Sequence, residues 1–168
     1  IPTAGNVFSS KKKPLLLVLK NVDELGEDIY VIQKVGDDLR QDVLTLQMLR
    51  MMNDIWKIAG LDLKMSPYRC IATGNEIGML EVVRNAETYG AIIASNKGVF
   101  SIKENVVTKW LKQQNPDKEK FAVAVQNFTE SCAAYCVATY ILGIGDRHSD
   151  NVMITKDGRF LHIDFGHF

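Results

Sequence analysis

The chain has 168 residues, 46% of them hydrophobic, so it is long enough to bury a core of its own. Its 20 Lys and Arg residues balance 20 Asp and Glu residues, which excludes an overall field that would attract nucleic acid or an anionic membrane. Three cysteines without a Cys-x-x-Cys pair, and the lack of a long apolar run, predict a reducing, cytoplasmic setting.

The first half of the chain predicts antiparallel strands with one long helix. Residues 15–19 and 29–34 are apolar enough for two strands. Residues 68–73 and 77–83 flank a Gly-Asn-Glu turn and predict a hairpin, whereas 84–98 is polar enough for a connector. A helix is expected to open at Gly36-Asp37-Asp38, with its buried apolar stripe at Leu44, Met48, Met51, Ile55 and Ala59.

The second half changes to a helical period. Residues 104–113 predict a short helix, and Asn115-Pro116 supplies an N-cap and a first-turn proline for a longer one that Gly143 ends. Residues 152–155 and 159–163 flank Lys156-Asp157-Gly158, a tight hairpin turn. The buried stripe of the longer helix is expected at Phe121, Val125, Phe128, Cys132, Tyr135 and Thr139.

The reactive side chains cluster after this helix. Asp146 and Asn151 lie five positions apart, and Asp164 follows thirteen later in an Asp-Phe-Gly triplet. This is the relative placement of the catalytic Asp, metal-binding Asn and metal-binding Asp in ATP-dependent kinases. A carboxylate and an amide oxygen are also the hard ligands that Mg²⁺ prefers. The pattern therefore indicates phosphoryl transfer, with the hairpin bringing Asn151 and Asp164 together.

All three histidines fall in the same region, which leaves two further questions open. His162, Asp164 and His167 are candidates for a zinc triad, an alternative that matches no metallohydrolase pattern; taken alone, His162 is expected to be packed or hydrogen-bonded. His148 lies two residues after Asp146, and either side chain is a candidate for accepting the proton of an attacking hydroxyl or stabilising the phosphoryl group. The sequence does not choose between them.

Three motifs occur in order along the chain: Gly36-Asp37-Asp38-Leu39-Arg40-Gln41-Asp42, Gly145-Asp146-Arg147-His148-Ser149-Asp150-Asn151 and His162-Ile163-Asp164-Phe165-Gly166-His167. Together they resemble the kinase domain of a phosphoinositide 3-kinase catalytic subunit. The Asp-Arg-His order distinguishes them from the protein kinases, and the likeness covers the chain from the phosphate-binding loop through Asp-Phe-Gly. Within the family, the segments that resemble class I most closely are Leu80-Glu81-Val82-Val83-Arg84-Asn85, Tyr135-Cys136-Val137-Ala138-Thr139 and the His167 ending.

The resemblance implies an α+β, bilobal protein-kinase-like fold. Residues 1–84 would form the N-lobe, with an antiparallel sheet and a helix, and residues 85–168 a partial, mostly helical C-lobe with the catalytic-loop hairpin. The likeness also suggests that the chain is a fragment without the loop that meets the second substrate. We therefore expect these residues alone to be inactive.

The resemblance also assigns roles around the nucleotide. Ser10 and Lys12 would approach the phosphates, although their basic run read by itself is a solvated turn. Lys34 would contact the phosphates with Asp42 as its partner, and Tyr68 would border the same pocket. The segment Glu81-Val82-Val83 would be the hinge that reads adenine through its backbone; its plain alternative is a core strand.

Further roles come from the same likeness. Asp37 and Asp38 are expected to cap the following helix, and Arg147 to pair with a nearby carboxylate. His167 would face the γ-phosphate. Pro14-Leu15-Leu16 replaces the Pro-Leu-Trp typical of class I enzymes, which would alter one wall of the adenine pocket.

The implied activity is transfer of the ATP γ-phosphoryl group to the 3-hydroxyl of a phosphatidylinositol lipid, with ATP and Mg²⁺ required. The implied partners are a phosphoinositide at the membrane surface and a regulatory subunit bound through regions outside this sequence, with recruitment to membranes from the cytoplasm. Two alternatives remain: a kinase acting on protein or another inositol hydroxyl, and a non-catalytic nucleotide-binding scaffold.

Overall fold

The computed structural model describes residues 3–7, 14–95 and 105–166. Within these ranges the chain forms four helices and two antiparallel sheets, so the α+β prediction is confirmed. It divides into two compact units, Ile1–Met48 with Tyr68–Val83, and Leu49–Pro67 with Arg84–Phe168.

The first unit is built on a five-stranded antiparallel sheet. The order is β1-β2-β3-β5-β4. The strands are β1 (Thr3–Val7), β2 (Leu15–Leu19), β3 (Ile29–Val35), β4 (Cys70–Gly74) and β5 (Ile77–Glu81). The predicted strands β2 and β3 and the β4–β5 hairpin are confirmed, whereas β1 was not predicted.

Gly78 lets the chain after β3 pack closely on this sheet. A Cβ added there would lie 2.5 Å from the carbonyl oxygen of Ile71 and 2.6 Å from Cδ1 of Leu39, which is buried. Only glycine accommodates both neighbours. Lys34 lies directly opposite Gly78 in the register and is the penultimate residue of β3.

Helix α1 runs from Arg40 to Ile58, and Asp38, one of the two predicted capping residues, bonds its first N–H. The Oδ1 atom of Asp38 accepts the N–H of Arg40 at 3.1 Å. The Arg40 side chain, followed by this N–H, lowers the pKa of Asp38 to about 2. Asp38 is therefore ionised at neutral pH, as a cap at the positive end of a helix should be.

The predicted apolar stripe of α1 is wrong. Leu44 is 60% exposed and Met51 is 57% exposed. The buried face instead carries apolar and polar side chains together, namely Leu39, Asp42, Thr45, Leu46, Leu49 and Asn53. Apolar residues occur on both faces of this helix, so hydrophobic spacing selected the wrong one.

Besides the C-terminal part of α1, the described residues of the second unit form three helices and a three-stranded antiparallel sheet of order β6-β7-β8. The elements are β6 (Ala86–Thr88), α2 (Tyr89–Ser95), α3 (Val106–Gln114), α4 (Lys118–Leu142), β7 (Val152–Thr155) and β8 (Phe160–His162). A core of Ile92, Val107, Trp110, Leu111, Ala124 and Ile154 joins the helices to the sheet.

Two predictions at this level need correction. Residues 86–95 are not a connector, because β6 pairs with β7 and α2 follows with the hydroxyl of Thr88 accepting the N–H of Ala91. Asn115 does not cap α4, because Asp117 accepts the N–H groups of Glu119 and Lys120. Asn115 ends α3 instead.

Helix α4 ends as predicted, but its buried face differs. Gly143 adopts a left-handed φ of 66° and its N–H bonds the last carbonyls of the helix. The buried residues are Ala124, Asn127, Ser131, Ala134, Tyr135 and Ala138. Val125 lies outside this set and is exposed. The hydrophobic pattern therefore missed two polar residues, Asn127 and Ser131, on the packed face.

Candidate active site

The β7–β8 hairpin brings the Asn151 and Asp164 ends of its strands together, as predicted. Val152 pairs with His162, and the N–H of Ile163 donates to the carbonyl oxygen of Asn151 at 2.9 Å. The turn is made possible by Gly158, whose φ is +93°. Two oxygen-bearing side chains that are distant in sequence thus flank one pair of strand ends.

Asn151 is held by the loop that precedes it. Its side chain is buried; Oδ1 accepts the backbone N–H of His148 at 2.9 Å and Nδ2 donates to the carbonyl oxygen of Asp146 at 2.7 Å. These two partners fix which end of the amide is oxygen. An amide oxygen has a second lone pair, so Oδ1 remains able to bind a cation.

Asp146 and Asp164 share an uncommon backbone conformation. Their φ values are 48° and 58°, in the left-handed region that non-glycine residues seldom adopt, although Asp tolerates it better than most. Both carboxylates are exposed. Backbone conformations of this kind cost on the order of 1 kcal/mol or more and concentrate at functional sites.

Arg147 ties the loop to the Asp-Phe-Gly segment, a role that sequence reasoning missed. Its guanidinium donates to the carbonyl oxygens of Gly145, Ile163 and Asp164 at 2.9, 2.8 and 2.8 Å. It also lies 5.4 Å from the centre of the buried Phe165 ring. The sequence does not show that Arg147 bonds backbone carbonyl oxygens. Its expected pairing with a carboxylate stays a prediction.

His148 has a defined hydrogen-bond acceptor on its ring. Nδ1 accepts the backbone N–H of Asp150 at 3.1 Å, and the side chain is exposed. In the neutral ring the proton is therefore carried by Nε2, which can donate a hydrogen bond outward.

His162 is packed among aromatic rings. Its ring centre lies 5.1 Å from that of Phe160 and 5.5 Å from that of Tyr135. Burial, with a smaller contribution from the Arg147 charge, lowers the pKa of His162 to about 4, so the ring is neutral at pH 7. Residues 3–7, 14–95 and 105–166 hold no group of three His, Cys, Asp or Glu suited to a metal. His167, the third member of the alternative zinc triad, lies outside these ranges.

In the first unit, the predicted phosphate-binding residues are placed as follows. The ammonium of Lys34 lies 3.5 Å from the carboxylate of Asp37, while Asp42 and Tyr68 are buried. The expected pairing of Lys34 with Asp42 stays a prediction. Ser10 and Lys12 lie outside the described residues.

The predicted hinge begins at Glu81, the last residue of β5, and two of its N–H groups bond within the first unit. The N–H of Glu81 donates to the carbonyl oxygen of Arg69 at 2.8 Å, and the N–H of Val82 donates to that of Tyr30 at 3.3 Å. The N–H of Val83 has no partner among the described residues.

Comparison with known proteins assigns the family. Residues 28–168 match the family described as phosphatidylinositol 3- and 4-kinase. The chain belongs to this family. It is 55% identical over 162 residues to phosphatidylinositol 3-kinase 2 of Dictyostelium discoideum, which is 96% of this chain and 9% of that protein. It is 49% identical over 168 residues to the human phosphatidylinositol 4-phosphate 3-kinase C2 domain-containing subunit beta, covering all of this chain and 10% of the relative.

The chain thus spans about a tenth of the length of these kinase relatives. The family match includes residues 145–151, the β7–β8 hairpin, Lys34 and the predicted hinge, but begins after Ser10 and Lys12. Among the helices that the structure describes, none has the length and apolar character needed to cross a bilayer.

Proposed function

We propose that the protein is a phosphoinositide 3-kinase that transfers the ATP γ-phosphoryl group to the 3-hydroxyl of a phosphatidylinositol lipid. The observation that carries the proposal is the joined geometry of the catalytic loop and the hairpin. Asn151 bonds Asp146 on one side and Ile163 on the other, which brings together the three positions that kinase chemistry requires. The names of the similar proteins support the 3-position.

The residues present fit a magnesium ion. The carboxylate of Asp164 and Oδ1 of Asn151 are hard oxygen donors, and Mg²⁺ sites in phosphoryl-transfer enzymes take one or two such ligands with phosphate oxygens and water. When bound, Mg²⁺ would neutralise charge on the phosphates. The loop contacts of Asn151 would present its oxygen without further reorganisation.

Asp146 and His148 would have different roles in the reaction, one accepting a proton and the other stabilising negative charge. Because Nδ1 of His148 already accepts the Asp150 N–H, its neutral ring offers a donor at Nε2, suited to stabilising negative charge on the transferring phosphoryl group. The exposed carboxylate of Asp146 can accept the proton of the inositol hydroxyl. We therefore assign the base to Asp146 and charge stabilisation to His148.

The nucleotide would be held by the first unit. Lys34, Ser10 and Lys12 would contact the phosphates, and Asp42 and Tyr68 would line the inner pocket. Glu81 and Val82 already use their N–H groups internally, so the N–H of Val83 is the hinge donor that we assign to adenine. Reading adenine through the backbone requires no particular side chain at these positions.

The finer assignments are proposals of the same kind. Residues 1–84 would be the N-lobe and 85–168 part of the C-lobe of a bilobal kinase domain, with a class I-like character that rests on the motifs. The lipid would be met at a membrane surface after recruitment from the cytoplasm, with a regulatory subunit bound elsewhere in the protein. We expect these 168 residues alone to show no appreciable turnover.

The test is Asp164→Ala in the full-length protein, with identification of the lipid product. We expect the wild-type enzyme to place phosphate on the 3-hydroxyl, and the variant to lose nearly all turnover while keeping its thermal unfolding midpoint. Asp54→Ala, at an exposed position on α1, is the matched control and should retain activity. Wild-type turnover in Asp164→Ala would exclude the metal assignment. Phosphate on another hydroxyl or on protein would favour the related-kinase alternative, and no ATP turnover by wild type would favour the scaffold.

A further inference from the structure

Strand β8, which leads to Asp164, lies at the edge of its sheet. Among the strands that the structure describes, the order β6-β7-β8 leaves one side of β8 without a neighbour. Helix α4 covers that side. The hydroxyl of Ser131, which is fully buried, accepts the backbone N–H of Phe160 at 2.8 Å. A serine hydroxyl thus takes the place of the carbonyl that a further strand would provide.

The Ser131 hydroxyl is fixed from both sides. It donates to the carbonyl oxygen of Asn127, one turn earlier in the helix, at 2.5 Å. Its proton is therefore directed into the helix and a lone pair is directed at Phe160. Of the hydrogen bonds described between α4 and the hairpin, the bond from the Phe160 N–H to Ser131 is the one made by β8, the strand that leads to Asp164.

The same face of α4 contacts the hairpin at its turn and along β8. Nδ2 of Asn127 donates to the carbonyl oxygen of Asp157 at 2.8 Å, and a Cβ at Gly158 would overlap the carbonyl oxygen of Ala124. One turn past Ser131, the Tyr135 ring meets Phe160 edge-on at 6.1 Å. Residues 124, 127, 131 and 135 lie on one helical stripe, as their three- and four-residue spacing requires.

The position of the hairpin along α4 contributes to where its open end lies, together with the Arg147 bonds to the carbonyl oxygens of Ile163 and Asp164. Asn151 and Asp164 stand at that end, and the open end is not bonded to α4 by either polar side chain of the stripe. A displacement of β8 relative to α4 would therefore also displace Asp164, which lies two residues past the strand. Metal sites are sensitive to such displacement, because loss of a supporting contact commonly costs 10–100-fold in metal affinity.

We propose that Ser131, assisted by Asn127, is a positioning residue that seats β8 and thereby sets the placement of Asp164 for metal binding. The inference rests on the proposed function, because it takes Asn151 and Asp164 as the metal ligands. Neither residue would contact substrate or metal. Their contribution would be visible in metal affinity as well as in turnover.

The test uses the full-length enzyme, Mn²⁺ as the probe and a non-hydrolysable ATP analogue. Mn²⁺ binding is followed by electron paramagnetic resonance, which requires no turnover. We expect Ser131→Ala to weaken Mn²⁺ binding about tenfold and to lower kcat without an equal change in the KM for lipid. Thr129→Ala is the matched control, because that hydroxyl is exposed and bonds only the Val125 carbonyl of its own helix. It should bind Mn²⁺ as wild type does.

A folded Ser131→Ala protein with wild-type Mn²⁺ affinity would overturn the inference, as would an equal loss in Thr129→Ala. If Ser131→Ala does not fold, Asn127→Ala decides, since it releases only the turn of the hairpin; a several-fold weaker affinity is expected and wild-type affinity contradicts the proposal. A wild-type enzyme that binds Mn²⁺ but does not phosphorylate the 3-hydroxyl would overturn the proposed function and leave this inference standing.

Discussion

The guanidinium of Arg147 donates a hydrogen bond of 2.8 Å to the main-chain carbonyl oxygen of Asp164. The guanidinium also donates to the carbonyl oxygens of Gly145 and Ile163, so this side chain connects the loop of residues 145–151 to the Asp-Phe-Gly segment. The planar guanidinium suits such a task, since it presents several donors in fixed directions. Arg147 therefore bonds the backbone of a proposed metal ligand, Asp164.

We expect Arg147→Met to lower kcat by roughly a hundredfold, at the upper end of the effect of removing a supporting contact from a metal site. Arg147→Lys should recover little, because one ammonium does not span three separate carbonyl oxygens. Lipid turnover and thermal unfolding in the full-length enzyme provide the measurements. Arg159→Met, at the turn of the hairpin, is the comparison, because Arg159 bonds Asp157 and Ser66 instead. Equal losses in the two variants would show that the effect is general loss of structure.

The substitution Asn151→Asp tests whether this side chain matters as a metal ligand alone or also as a hydrogen-bond donor to the loop. A carboxylate is a good Mg²⁺ ligand, so a simple view predicts an active variant. The structure predicts an inactive one, because the new oxygen would replace the amide donor that faces the Asp146 carbonyl at 2.7 Å in a buried site. We expect at least a tenfold loss of kcat and a destabilisation on the order of 2 kcal/mol.

Asn105→Asp is the matched control for that substitution. Asn105 caps α3 by accepting the Val107 N–H, a task that an aspartate performs equally well, so stability should be unchanged. Turnover by Asn151→Asp at the wild-type rate would mean that the bond to Asp146 does not matter for the site.

The local sequence was sufficient to predict the β7–β8 hairpin. Apart from His162, residues 152–155 and 160–163 are apolar or β-branched, and Gly158 between them supplies the positive φ that a tight turn requires. Because the side chains that matter stand directly at the ends of these strands, locating the strands also located Asn151 and Asp164. The Gly143 helix end was predictable for the same reason.

The helix faces were not predictable in this way. Asp42, Asn127 and Ser131 are polar, and the partners of the last two are backbone atoms far along the chain, so no hydrophobic spacing marks them as buried. The prediction of the α4 cap failed for a local reason, because Asn115 and Asp117 are both good capping residues. The backbone N–H and Nδ2 of Asn115 both donate to the carbonyl oxygen of Leu111, which shows that Asn115 belongs to the end of α3. The contacts of Arg147 were not predictable for the same reason, because its three carbonyl partners come together only in the folded loop.

The two cysteines of α4 should differ in reactivity. Burial, and secondarily the neighbouring Cys136 thiol, raises the pKa of Cys132, whereas Cys136 is exposed. A raised pKa leaves less thiolate at a given pH, and the thiolate is the reactive form. We expect iodoacetamide at neutral pH to modify Cys136 before Cys132, and the share of Cys132 to grow as pH rises. Timed quenching with peptide mass spectrometry measures both rates, and equal rates at pH 7 would contradict the assignment.

Gly158→Ala tests whether the hairpin is seated on α4 as described. Alanine at a φ of +93° is strained, and its Cβ would overlap the carbonyl oxygen of Ala124, a backbone atom that does not rotate away. We expect a loss of at least about 2 kcal/mol of stability, read as a lower thermal unfolding midpoint in the full-length enzyme. Gly74→Ala is the control: Gly74 has no positive φ and no atom within 4 Å of the added Cβ. If the two alanine variants unfold at the same temperature, the turn does not pack against Ala124, and the anchoring of the catalytic hairpin by α4 has to be abandoned.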